Sequence, residues 1–138
     1  MDKVIIKQRM QGNLMNIYRE MLEQVRDLKV KKDDLPSISY DVETELLENP
    51  VILTRQQVIH VLKRYKQERL SLEDLFIWLH FVWFSDFFAC KQEDADSIAS
   101  VMDVLQELEE EGIMPDDVDY CLDALEKNEI AESLFGEE

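Results

Sequence analysis

The sequence has few of the residues that build turns, disulfides or metal sites. Only three glycines and three prolines occur in 138 residues. This scarcity argues against an all-β fold, because such folds need many turns rich in these residues. The two cysteines, Cys90 and Cys121, are too far apart for a redox or zinc-ligand motif. We expect two reduced thiols that are buried or half-buried, as cysteines usually are.

Long apolar runs are also missing. The first ten residues hold a three-residue apolar run, too short for a signal peptide. The longest apolar stretch, Leu75 to Ala89, is interrupted by His80, Ser85 and Asp86. It is shorter than the roughly 20 apolar residues that span a bilayer. The sequence therefore predicts a soluble, cytoplasmic protein.

Basic residues are scarce in one part of the chain. The whole sequence has 31 acidic and 15 basic residues, a net charge of −16. Residues 1–90 are nearly balanced, with 13 basic and 14 acidic residues, whereas residues 91–138 hold 2 and 17. This charge argues against direct binding of nucleic acid and against an anionic membrane surface as partner. A positively charged partner remains the natural candidate for a chain of this charge.

What the sequence does contain is helical spacing of apolar residues. The pattern predicts helices over residues 13–30, 54–67, 72–88, 93–111 and 115–127. Val4 to Ile6 either extend the first helix through Gly12 or form a separate piece. Residues 41–48 indicate one or two further turns. Ile130, Leu134 and Phe135 suggest a last short turn.

Local signals mark the ends of these helices. Thr54 and Gln57 match a capping box, and Ser71 is a second N-cap followed by acidic residues. Gly112 predicts a left-handed C-terminal cap, and Pro115 precedes the next helix.

The helix Leu72–Phe88 is apolar on nearly every side, which is typical of a helix buried all round. We therefore expect an all-α fold: one domain over residues 1–138, in which about five helices surround this central helix. The short loops predict mostly antiparallel neighbours. The apolar excess is also compatible with a homodimer.

Acidic residues follow the outer faces of the last two helices. In the helix over 93–111, Asp96, Ser100, Asp103, Glu107 and Glu110 lie opposite the apolar seam. No Lys or Arg occurs from residue 92 to residue 126. The helix over 115–127 adds four acids on the side away from its own apolar stripe: Asp116, Asp119, Asp123 and Glu126. The pattern thus predicts an acidic surface without internal counter-charge.

Two interpretations of that surface stay open. A solvated face without a specific partner is one, and a docking surface for a basic partner is the other. Solubility alone is served as well by mixed Glu and Lys, which would also form stabilising i,i+4 pairs. We therefore favour docking. The candidate partner-binding residues are Asp96, Asp103, Glu107, Glu110, Asp116, Asp119 and Asp123.

The sequence offers little for catalysis or metal binding. We expect His60 to be exposed and His80 to be buried and neutral, with a general-base role as the minority interpretation. Asp86 either faces solvent or accepts a hydrogen bond. The acidic clusters lack the glycine and ligand spacing of a calcium-binding loop. We therefore predict no enzyme activity, no cofactor and no metal site.

A resemblance adds to this interpretation. The stretch Leu53-Thr-Arg-Gln-Gln-Val-Ile-His-Val-Leu-Lys-Arg-Tyr65, continued by Leu70-Ser-Leu-Glu-Asp-Leu-Phe-Ile-Trp78, resembles small helical bacterial immunity proteins. That family includes the immunity partners of colicin D-like toxins and of contact-dependent growth inhibition toxins. The resemblance implies a cytosolic protein that binds one cognate toxin domain and blocks its active site. Many such toxins are nucleases with basic clefts.

The resulting hypothesis is an immunity protein whose carboxylates pair with the Lys and Arg groups of a basic toxin domain. One alternative is an acidic mimic of nucleic acid, or another protein-binding adaptor. A second is a small enzyme or ligand-binding bundle that uses His80, Asp86 and the pair Trp78 and Trp83. The second alternative predicts a pocket at the central helix, whereas immunity predicts a filled core.

Overall fold

The computed structural model describes the backbone of residues 3–132 and the side chains of residues 14–132. In this part the chain is mostly α-helical, with a two-stranded sheet, and the predicted all-α class is confirmed. The elements in chain order are α1 (Lys3–Arg26), α2 (Tyr40–Glu48), β1 (Val51–Leu53), α3 (Arg55–Lys66), α4 (Leu72–Phe84), β2 (Phe88–Cys90), α5 (Ala95–Glu111) and α6 (Pro115–Lys127).

Helix α1 differs from the predicted helix at both ends. It runs continuously through Gly12, so the upstream apolar residues extend the helix rather than form a separate piece. It ends at Arg26 instead of Val30. Leu28 adopts a positive φ of 66°, and the Lys29 N–H donates to the Gln24 carbonyl at 2.7 Å, which turns the chain out of the helix.

The capping signals locate the starts of α3 and α4 correctly. The Thr54 N–H donates to the Gln57 side chain at 2.8 Å, and α3 begins at the next residue. The Ser71 hydroxyl accepts the Asp74 N–H at 3.0 Å, and α4 begins at Leu72. Each contact satisfies a backbone donor that the first turn of a helix leaves unpaired.

The predicted end of the apolar helix is wrong. Helix α4 stops at Phe84, and residues 88–90 form β2, which pairs in parallel with β1. The register joins Val51 to Phe88 and Leu53 to Cys90. A short apolar run fits a buried strand as well as a buried helix, so its periodicity could not separate the two. The partner strand lies far away in the sequence.

The expected burial of α4 on all sides is also wrong. Its inner positions are buried, including Leu75, Leu79 and Val82. Its opposite side is not, because Ile77 is 39% exposed and Phe84 is 61% exposed. Helices α1, α3 and α5 pack against α4 and leave this side uncovered.

The core consists of two clusters of buried side chains. The larger one joins α3, α4, α5 and α6, and it contains Leu62, Leu79 and Leu105. The smaller one joins α1, α2 and β1. Phe81 and Phe88 pack against both clusters, so the end of α4 and the strand β2 connect them.

The ends of α5 and α6 are only partly as predicted. Gly112 follows α5 with a φ of 100°, but its ψ of 138° lies outside the left-handed helical region expected there. Asn128 takes the left-handed cap of α6 instead, with φ 54° and ψ 48°. Ile130 is exposed in an irregular segment, and Leu134 and Phe135 lie outside the described residues. Within the described part, no helix is both long enough and apolar enough to cross a bilayer.

Candidate partner-binding surface

Helix α5 is strongly amphipathic, and its packing decides which residues face outward. Ile98, Leu105 and Leu108 on its inner side are at most 1% exposed. The residues on the opposite side form what we call the α5 face. It consists of Asp96, Ser100, Asp103, Glu107 and Glu110. The three carboxylates of Asp96, Asp103 and Glu110 are exposed, whereas Ser100 and Glu107 are half-buried. The structure thus places four of the seven predicted residues on one face.

The carboxylates of the α5 face have few cations near them. Asp96, Asp103 and Glu110 form no ion pair or side-chain hydrogen bond with any other residue in the described part of the chain. Helix α5 itself contains no Lys or Arg. Like charges one turn apart on a helix repel each other. The field of this face is therefore directed at solvent.

The acidic residues of α6 have a different environment. The side that we call the α6 face consists of Asp116, Asp119, Asp123 and Glu126. Lys66 of α3 pairs with Asp119, and Lys63 of α3 lies 3.7 Å from Glu126. Lys127 pairs with Asp123 at 3.2 Å across one turn of α6.

The predicted absence of counter-charge is therefore wrong for α6. Helix α3 packs against α6 and ends in a basic turn, which supplies two of the three lysines. A search for Lys and Arg near α6 in the sequence could not find residues more than 50 positions away. The side chains in these pairs are about half exposed, and such pairs contribute about 1 kcal/mol or less.

His80 lies on the surface, in contrast to the predicted buried position. Its Nε2 is 2.7 Å from the Glu109 carboxylate, and its side chain is 50% exposed. The reason is its place on the uncovered side of α4, next to Phe84. His60 is exposed as predicted, and Asp86 is exposed in the turn after α4.

The segment after α6 adds a contact that sequence reasoning missed. Residues 128–132 lie across the junction of α5 and α6. The Ala131 N–H donates to the Ser100 hydroxyl at 2.8 Å, and the Glu132 N–H donates to the Tyr120 hydroxyl at 2.7 Å. This segment therefore contacts the α5 face at Ser100, and its residues Glu129 and Glu132 are exposed.

A partly buried ion pair fixes the two acidic helices to α3. The carboxylate of Asp94, just before α5, accepts the Arg55 backbone N–H at 3.0 Å and the Arg55 Nε–H at 2.9 Å. The same guanidinium donates to the Leu125 carbonyl near the end of α6. One arginine at the start of α3 thus holds both acidic helices.

This environment changes the acidity of Asp94. Burial alone would raise its pKa, but the two hydrogen bonds from Arg55 and the charges of Arg55 and Lys91 outweigh burial. The pKa of Asp94 is therefore below its ordinary value, and the carboxylate is ionised at neutral pH.

Both cysteines are free, and their surroundings disfavour the thiolate. Burial, with a contribution from the charge of Asp117, raises the pKa of Cys121 to about 12. Burial and Asp94 also raise the pKa of the half-buried Cys90. The predicted burial of both residues is confirmed. A nucleophilic cysteine needs the opposite shift, so neither thiol is set up for covalent catalysis.

The residues named for a catalytic bundle do not come together. A cavity of about 250 Å³ lies beside α4 and is lined by Trp78, Ile77 and Arg64 among others. His80 and Asp86 are not among its lining residues. Within the part of the chain whose side chains are described, no three His, Cys, Asp or Glu residues are grouped as a metal site would require.

Comparison with known proteins adds no relative. No family model, no curated protein and no solved structure matches this chain. The resemblance of residues 53–78 to immunity proteins therefore stays a prediction, and the functional argument depends on the surface that this chain presents.

Proposed function

We propose that this protein is a cytoplasmic immunity protein that binds a basic toxin domain and occludes its active site. The observation that carries the proposal is the α5 face, where Asp96, Asp103 and Glu110 are exposed and have no cation partner among the described residues. A nuclease cleft presents Lys and Arg to nucleic-acid phosphates. Carboxylates can take the place of those phosphates, and Arg–carboxylate pairs are often bidentate, which adds specificity.

The α6 face has a secondary role in this proposal. Asp119, Asp123 and Glu126 already have lysine partners, so a toxin would have to compete for them. Asp116 is exposed and forms no ion pair within the described part of the chain. We therefore narrow the main contact set from the seven predicted residues to four exposed ones: Asp96, Asp103, Glu110 and Asp116.

The arrangement favours fast association. An acidic face opposite a basic cleft steers the encounter of two proteins and raises the association rate at low ionic strength. Because the α5 face is one side of a single helix held by a packed core, its carboxylates need little reorganisation on binding. Preorganisation of this kind lowers the cost of forming a complex.

The test uses the protein domain encoded by the neighbouring gene as the candidate toxin. The chain and that domain are co-expressed, co-purified and assayed for protection of growth. The variant Asp103→Asn/Glu110→Gln should lower the association rate at least about tenfold at low salt and flatten its salt dependence. The matched control is Asp41→Asn/Glu48→Gln, which removes the same charge from exposed positions on α2.

The control should bind and protect almost as well as the unmodified chain. An equal fall in the association rate of both variants would mean that only the net charge matters, and the α5 face would not be the interface. No complex and no protection with the unmodified chain would overturn the proposed function itself.

A further inference from the structure

The uncovered side of α4 is a second unusual surface. It consists of Glu73, Ile77, His80 and Phe84, spaced by four, three and four residues, so that they lie along one line of the helix. We call it the α4 face. All four residues are exposed. An outward helix face normally carries polar residues, but half of this one is apolar, and Phe84 alone is 61% exposed.

The α4 face and the acidic surface are joined through His80. The His80 ring meets the Phe84 ring edge to face, with centroids 5.9 Å apart. The other side of His80 contacts the Glu109 carboxylate of α5 at 2.7 Å. Glu109 is followed directly by Glu110 of the α5 face. The exposed Phe84 ring is thus connected through His80 and Glu109 to the end of the α5 face at Glu110.

Charge decides which occupant suits this surface. A second copy that docks with the same face would add its own Glu73, Glu109 and Glu110 to the interface, and each copy has a net charge of −16. Like charges facing each other across an interface are costly. An anionic membrane is disfavoured for the same reason. A partner with an apolar protrusion bordered by Lys and Arg complements both parts of the surface.

We propose that the α4 face is the apolar anchor of the toxin interface, with Phe84 and Ile77 packing against a nonpolar patch beside the basic cleft. This inference rests on the proposed function and assigns the α4 face and the α5 face different roles in binding. The α5 face governs the rate of encounter, whereas the α4 face governs how long the complex lasts. Well-packed aromatic side chains are the residues that most often dominate the energy of an interface.

The experiment measures binding kinetics of Phe84→Ser with the same candidate toxin domain. The dissociation rate should rise roughly 30-fold, the fold-change that corresponds to losing an interface anchor. The association rate and its salt dependence should stay unchanged. Ile77→Ser, which removes a less exposed side chain, should give a smaller increase in the same rate.

The matched control is Tyr40→Ser, which removes an aromatic ring that is 78% exposed on α2. It should leave both rates unchanged. Thermal melts of the three variants should agree with the unmodified chain, since the removed side chains are largely outside the core. If Phe84→Ser lowers the melting temperature, the dissociation rate of Ile77→Ser is compared with that of Tyr40→Ser instead.

Each outcome separates this inference from the proposed function. If the unmodified chain binds the toxin domain and Phe84→Ser dissociates no faster than Tyr40→Ser, the anchor is refuted and the proposed function stands. If the unmodified chain does not bind, both are overturned. If sedimentation shows a dimer that Phe84→Ser abolishes, the occupant is a second copy, and the assignment of the α4 face is wrong.

Discussion

The α5 face and the α6 face have the same type of sequence and different electrostatic environments. Both place carboxylates on the outer side of an amphipathic helix, and neither helix has a Lys or Arg before Lys127. In the structure, lysines accompany Asp119, Asp123 and Glu126 of the α6 face. The exposed carboxylates of Asp103 and Glu110 on the α5 face have no such partners in the described part of the chain.

The difference shows that the acidity of a surface depends on which helix lies beside it. Helix α3 brings its basic last turn to α6, because its apolar side packs there, and this neutralises part of the α6 face. Helix α4, which packs against α5, provides His80, which contacts Glu109 beside the α5 face. A segment with uniform charge in the sequence thus becomes two different surfaces. On the α6 face three carboxylates have lysine partners, whereas on the α5 face Asp96, Asp103 and Glu110 have none among the described residues.

The largest expected effect concerns Asp94, whose carboxylate is buried just before α5 and pairs with Arg55 of α3. Asp94→Asn leaves the Arg55 guanidinium without its carboxylate, and the free energy of unfolding should fall by about 3 kcal/mol. Asp123→Asn breaks an exposed pair and should cost about 0.5 kcal/mol or less. Urea denaturation of both variants measures the contrast. Equal losses would mean that burial does not distinguish the two pairs.

The pH dependence of the same pair is the second effect. The folded-state pKa of Asp94 is lowered, so its ionised form stabilises the fold fully above the unfolded-state pKa of about 3.9. This contribution is lost as the pH falls through the lowered folded-state pKa. The stability difference between the unmodified chain and Asp94→Asn should therefore be constant near neutral pH and shrink below about pH 4. A difference that does not shrink below about pH 4 would contradict the ionic origin.

A direct comparison of the two faces gives smaller effects of opposite sign. Neutralising Asp119 removes an ion pair with Lys66, so Asp119→Asn should destabilise the fold by a few tenths of a kcal/mol. Asp103→Asn removes repulsion with Glu107 one turn away and should stabilise the fold by a similar amount. Thermal melts at low salt show the sign of each change. Destabilisation by both substitutions would mean that Asp103 has a stabilising partner in solution.

Salt provides the mildest perturbation. Screening of the mutual repulsion on the α5 face should raise the melting temperature between low and moderate NaCl. The exposed pairs of the α6 face weaken under the same screening and oppose the rise. The variant Asp103→Asn/Glu110→Gln should therefore show a smaller increase than the unmodified chain. A flat or falling curve for the unmodified chain would indicate that compensation extends to α5.

Local signals in the sequence predicted much of the fold. The capping residues Thr54 and Ser71 located two helix starts, and the amphipathic pattern identified the inner and outer sides of α5 and α6. These features depend on residues a few positions apart. The strand β2 and the exposed side of α4 were missed, since both depend on what packs there. Four of the seven candidate residues lie on the α5 face, and two of the others are paired.

The sequence by itself determined the helical class, the positions of most helices and the presence of two acidic outer faces, because spacing and capping act within a few residues. Only the tertiary structure decided which carboxylates meet a lysine, where His80 lies and that Phe84 is exposed. Ion pairs and burial join residues that are far apart along the chain. Their effect exists only after the helices have packed, since salt screens interactions between exposed charges beyond about 10 Å.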